Sequence, residues 1–159
     1  MADRRTRSTI VVGVDGSLAS QQALRWAARQ AELTGAEVHA VTAWSIPTTY
    51  GWIPSVADFD WVGHARGVQD HAIAEALDDE QAARVRRDVV EGHPARALQR
   101  CAADADLLVV GSRGHGEFSG MLLGSVAQHV VAHAPCPVLV VRAAAAAEAP
   151  PAVERTPRR

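Results

Sequence analysis

The chain contains no lysine: arginine supplies all 16 of its basic residues, against 18 acidic ones, for a net charge of −2. That absence removes the phosphate-gripping lysine of a Walker-A loop, the Schiff base of pyridoxal enzymes and any mechanism built on a catalytic ammonium group. Phosphate binding by such a chain has to use backbone N–H groups, hydroxyls, arginine or a metal ion. The near-neutral balance also argues against nucleic acid as a partner, because binders of that kind carry surplus positive charge to neutralise phosphates. Two cysteines, Cys101 and Cys136, are too few for a disulfide framework and too far apart for a zinc pair, so inert buried thiols in a reducing compartment are expected. No apolar run approaches the roughly 18 residues of a membrane span. The first run, 10–14, stops at Asp15, short of the about 7 to 15 apolar residues of an export-signal core. The expectation is a cytoplasmic protein with no membrane contact and no nucleic-acid partner.

Aromatic residues make up only 4% of the chain, yet Trp44, Tyr50, Trp52, Phe59 and Trp61 fall in one stretch. That stretch reads equally as a lid over a ligand and as a cap over the core. The rest is ordinary for a globular domain: 159 residues, 48% hydrophobic and 21% charged, which suffices for one apolar core. Residues 1–8 read as a flexible start, 9–142 as a single domain, and 143–159, rich in Ala, Pro and Glu, as a disordered tail.

Four short β-branched runs, 9–14, 38–41, 107–110 and Val138–Val141, are nearly continuous rather than alternating, as strands covered on both faces are. A weaker run at 85–90, broken by Arg86, Arg87 and Asp88, predicts an edge strand. Between them lie helical patterns: 18–33 with Ser17 as N-cap and Gly35 as stop, a long one over 62–83, 94–103 with Pro94 in its first turn, and Ser125–His133. Strands alternating with helices predict an α/β fold, an open parallel sheet with helices on both faces.

In such sheets ligands bind beyond the carboxyl ends of the strands, where successive connections leave for opposite faces. Two loops there have unusual chemistry. Asp15-Gly16-Ser17 follows the first strand, and Gly111-Ser112-Arg113-Gly114, nine further residues, then Gly124-Ser125 follow the fourth. Glycines let the backbone approach an anion closely, and amides at a helix start add donors and a favourable dipole end. Ser125 adds a hydroxyl, and Arg113 and His115 lie in the same loop, where they read first as solvent-exposed side chains and second as phosphate contacts. Asp15 can accept from ribose hydroxyls or hold a divalent cation on phosphates. Taken alone, Asp15 reads first as a turn and cap residue; the two loops together favour nucleotide binding. His129 and His133, four apart, share a helix face, but no glutamate stands beside the first as in a zinc protease, so no protein metal cage is assigned.

The spacing Gly-x2-Gly-x9-Gly-Ser at positions 111–125, followed by Val126 and by Pro137 and the run Val138–Val141, resembles the universal stress protein family in its ATP-binding branch. The opening Val14-Asp15-Gly16-Ser17 is similar as well. The resemblance implies a five-stranded, Rossmann-like sheet of order 3-2-1-4-5. It implies ATP, accompanied by Mg2+, as the bound cofactor. Asp15 becomes the acidic contact, the backbone at Ala43 meets adenine, and Gly111, Gly114, Gly124, Ser125 and Val126 cradle ribose and phosphates. It further implies a homodimer through Val138, Leu139, Val140 and Val141, and a stress-response role with slow or no ATP hydrolysis. The competing reading is a protein-interaction module of the same fold that needs no nucleotide. Related nucleotide-activating enzymes are disfavoured, since neither their Ser-Gly-Gly-x-Asp-Ser loop nor their lysine-bearing loop is present.

Overall fold

All five expected strands form in the computed structural model, which describes residues 7–46, 58–114 and 122–143. They are β1 (Thr9–Gly13), β2 (Glu37–Trp44), β3 (Arg86–Glu91), β4 (Leu107–Gly111) and β5 (Val138–Val141), paired in parallel in the order β3-β2-β1-β4-β5. The order 3-2-1-4-5 and the edge position of β3 agree with expectation. β2 runs past the predicted 38–41 because Thr42, Ala43 and Trp44 pair with Val89, Val90 and Glu91 of β3.

The helices are α1 (Leu18–Thr34), α2 (Trp61–Ala76), α3 (Asp79–Arg84), α4 (Pro94–Cys101) and α5 (Ser125–His133). α1 begins and ends where expected: Ser17 Oγ accepts from the Ser20 amide at 3.2 Å, and Gly35 closes the helix in the left-handed region at φ 72°. The single helix over 62–83 is a correction. Leu77 turns extended at φ −125°, ψ 153°, and Asp78 then caps a new short helix in a reciprocal capping box with Gln81. The apolar pattern had hidden the break, since Ala76 and Ala82 stay on the core on either side of it and Leu77 is buried between them.

Strand residues alternate between two cores. Ile10, Val12, Val38, Ala40 and Val109 face α1 and α2, where Leu24 and Ile73 are almost wholly buried. Val11, Val41, Leu108 and Val110 face α4 and α5, against Leu98, Ala127 and Val130. Each large side chain so buried contributes about 1.5–3 kcal/mol. Cys101 and Cys136 pack beside this second core, half-buried rather than fully buried as expected. Burial pushes both thiols above their ordinary range, which keeps them protonated and unreactive.

Polar ties fix the long central strand. The Gln69 side-chain amide, on α2, donates to Ala40 O, Thr42 Oγ1 and Asp88 O at 3.0–3.2 Å, and the buried His39 ring lies 2.6 Å from an Asp88 carboxylate oxygen. These hold β2 and β3 in register at the sheet edge. Among the described residues no helix is long and apolar enough to cross a membrane.

Candidate functional site

The sheet reverses its winding between β1 and β4, and a cavity of about 280 Å³ opens beyond their carboxyl ends. Its first wall is the turn after β1. The Val14 amide donates to Val41 O at 2.9 Å, and Thr42 Oγ1 donates to Val14 O at 2.8 Å, so the chain leaves the strand in a fixed direction. Asp15 Oδ1 then accepts from the Ser17 amide at 2.9 Å, an Asx turn, while Gly16 takes φ 83° to complete it. Turn-making thus occupies one oxygen of Asp15. Its second oxygen, Oδ2, stands against Gly114: a Cβ added there would collide with it.

The second wall is the glycine-rich loop after β4. Its two described ends meet, because Ser112 donates its amide to Val141 O and its carbonyl accepts from the Gly124 amide, each at 2.7 Å. Gly111 lets the first turn of α1 cross at close range, since a Cβ at that position would stand 2.7 Å from Ala19 Cβ and 3.0 Å from the Ser20 amide nitrogen. Gly124 is the N-cap of α5 and brings no side chain to its amides, so those of Ser125, Val126 and Ala127 are left as donors at the positive end of the helix dipole. For an anion seated there the dipole alone contributes about 0.3–1 kcal/mol.

The floor is apolar, made by Val41 and Ala43 of β2, Val110 of β4, and Pro94 and Leu98 of α4. Leu98 reaches it because Gly13 has no side chain: a Cβ on Gly13 would touch Leu98 Cδ1 at 3.0 Å. Among the described lining residues Asp15 and Arg113 are the charged side chains. The cavity therefore combines a flat apolar slot, a row of amide donors and one carboxylate, a set able to hold a planar heterocycle bearing hydroxyls and an anionic tail.

Of the residues singled out by sequence, Asp15, Ser17, Ala43, Gly111, Ser112, Arg113, Gly114, Gly124, Ser125 and Val126 line this one cavity. Gly16 shapes the turn without lining it. His115 lies outside the described residues, as do Tyr50 and Trp52 of the aromatic stretch. Sequence reasoning missed Pro94 and Leu98. Pro94 was visible as a helix start, but nothing local tells that α4 folds back over Gly13.

A family model described as universal stress protein family matches residues 6–142. The chain is 36% identical over 140 residues to universal stress protein Rv2623 of Mycobacterium tuberculosis, an alignment covering 86% of this chain and 46% of that protein. To universal stress protein Mb2028c of Mycobacterium bovis it is 39% identical over 140 residues, covering 84% and 45%. The chain spans about half the length of these curated relatives. Among solved structures it is similar to universal stress protein UspA from Lactobacillus plantarum, with a TM-score of 0.70 and 25% identity over 87% of this chain and 100% of that one. It is also similar to a universal stress protein crystallised in complex with cAMP, with a TM-score of 0.60 and 30% identity over 84% and 96% of the two chains.

Proposed function

The chain belongs to the universal stress protein family, and on that premise we propose that it binds ATP between the ends of β1 and β4 and acts as a nucleotide-dependent regulator of the stress response. The observation that carries the proposal is the meeting of Asp15 with Gly114 beside the uncapped start of α5. Adenine enters the apolar slot of Val41, Ala43, Pro94 and Leu98, and the free oxygen of Asp15 takes a ribose hydroxyl. The phosphates lie along the amides of Gly114, Ser125 and Val126, beside Gly111 and Ser112, with Arg113 at the rim. A solved relative that carries cAMP supports an adenine nucleotide as the ligand class.

Mg2+ fits this donor set when the phosphates supply most of its oxygens and Asp15 supplies the one carboxylate, as magnesium sites on nucleotides are built. Bound there, the ion would neutralise phosphate charge. Hydrolysis is slow or absent in this reading: Asp15 is the single carboxylate of the described lining, and its Oδ1 is already committed to the Ser17 amide. The same proposal includes a cytoplasmic setting and a homodimer through Val138, Leu139, Val140 and Val141, whose strand lies at the sheet edge. An exposed edge of this kind invites pairing with a second copy.

The decisive experiment identifies by mass the ligand released on denaturing the purified protein, followed by calorimetry with ATP, AMP and cyclic AMP. ATP carried through purification, and rebound more tightly than the other two, is the expected result. A protein that emerges empty and ignores all three nucleotides overturns the proposal in favour of a nucleotide-independent interaction module.

A further inference from the structure

At the end of α5 remote from the cavity stand His129 and His133, which the nucleotide reading leaves unused. Their rings are stacked, with centroids 4.6 Å apart and planes inclined by 28°. His133 Nδ1 lies 3.0 Å from His129 O. A carbonyl oxygen only accepts, so that nitrogen carries the proton of the neutral ring, and Nε2 keeps its lone pair for an outside partner. A ring whose second nitrogen is held by a backbone carbonyl has the arrangement found at metal-ligating histidines, fixed in tautomer and orientation. The His129 ring makes no hydrogen bond within the described residues, and His133 is exposed while His129 is half-buried.

The surroundings favour a cation. α5 bears no Asp, Glu, Lys or Arg, and its last turn carries the negative end of the helix dipole. We propose that His129 and His133 form a surface chelate for a divalent transition-metal ion of the zinc type, each giving one imidazole nitrogen once the His129 ring, which no hydrogen bond among the described residues holds, turns out of its stack on His133. Residues four apart on a helix are neighbours on its surface, and neutral imidazole is a ligand for zinc, copper and nickel rather than for magnesium or calcium. Among the described residues no group of three or more His, Cys, Asp and Glu gathers to hold a metal, so the protein supplies two ligands. The other positions of a four-coordinate ion then go to water or to an outside donor.

The test titrates untagged full-length protein with Zn2+ in a calorimeter, with and without saturating ATP and Mg2+. The expected result is a 1:1 complex that persists when nucleotide is present, which separates it from metal carried on phosphates. Both His129→Gln and His133→Gln should weaken it by roughly tenfold or more, whereas His71→Gln on α2 should leave it unchanged. Glutamine suits a helix, and unchanged circular dichroism of each variant shows that lost binding is not lost folding. Absence of saturable Zn2+ binding, or equal binding by both glutamine variants and the parent, overturns the proposal. A thiolate charge-transfer band on replacing Zn2+ with Co2+ would also overturn it, by making a cysteine a ligand.

Discussion

A carboxylate oxygen of Asp15 occupies the place that the Cβ of any residue but glycine would need at position 114. Two loops far apart in sequence thereby come into close contact, one offering a charge and the other main-chain amides. Gly114→Ala is expected to push them apart and to weaken ATP binding by about tenfold or more, roughly 1.4 kcal/mol or above. The fold should survive, because Gly114 belongs to neither core. Calorimetry with ATP, paired with a melting curve, measures both effects.

Asp15→Asn separates the two duties of that side chain. Asparagine keeps an oxygen for the Ser17 amide, so the turn and the cap of α1 persist, and stability should change by less than about 0.5 kcal/mol. The negative charge is lost, and with it the contact proposed for Mg2+. ATP affinity in the presence of Mg2+ should fall more than affinity in its absence. Equal losses under the two conditions would mean that the carboxylate serves ribose alone.

Gln69→Leu strips three acceptors of a buried donor at once, including Thr42 Oγ1, which itself holds the carbonyl of Val14 at the rim of the cavity. Destabilisation of about 1–3 kcal/mol is expected from the groups left without a partner. Denaturant titration of variant and parent gives the figure.

Asp106 accepts the Thr9 amide at 2.8 Å, and this bond holds its carboxyl below the usual carboxylate range. A depressed value in the folded state means that the unfolded chain takes up the proton first. The contribution is therefore complete above the unfolded value and disappears as pH falls from about 4 through the lower folded value. Asp106→Asn should melt earlier than the parent at neutral pH, and the two melting curves should converge in strong acid.

The edge strand offers a further test. Leu108 and Ser112 donate their amides to Pro137 O and Val141 O, so in a parallel ladder the odd-numbered residues of β5 face β4, while Val138 and Val140 turn their N–H and C=O outward. Val140→Pro removes an outward donor and leaves the ladder to β4 intact. Sedimentation should find the proposed dimer weakened, with ATP binding retained.

Much of this molecule was legible in its sequence because the deciding signals were local. The β-branched runs at β1, β4 and β5, the Ser17 cap and the Gly35 stop each report a backbone state without help from elsewhere. The glycines of the second loop were legible for the same reason, since a missing side chain announces a close approach. What it approaches was not: that Gly111 makes room for Ala19, and Gly114 for Asp15, depends on how the sheet stacks its helices. The break at Leu77 escaped notice because burial continued across it. Nothing local marks Gln69, which is almost wholly buried and binds two strands together.

The paired bonds of Ser112 have a mechanical consequence. Its amide grips the last residue of the border strand, and its carbonyl grips the residue from which α5 starts. One peptide group on each side of a single residue therefore joins the rim of the sheet to the seat of the anion. A second molecule that draws β5 outward and a ligand that draws α5 inward pull on the same link, so any change that one makes in the other's grip is returned in equal measure.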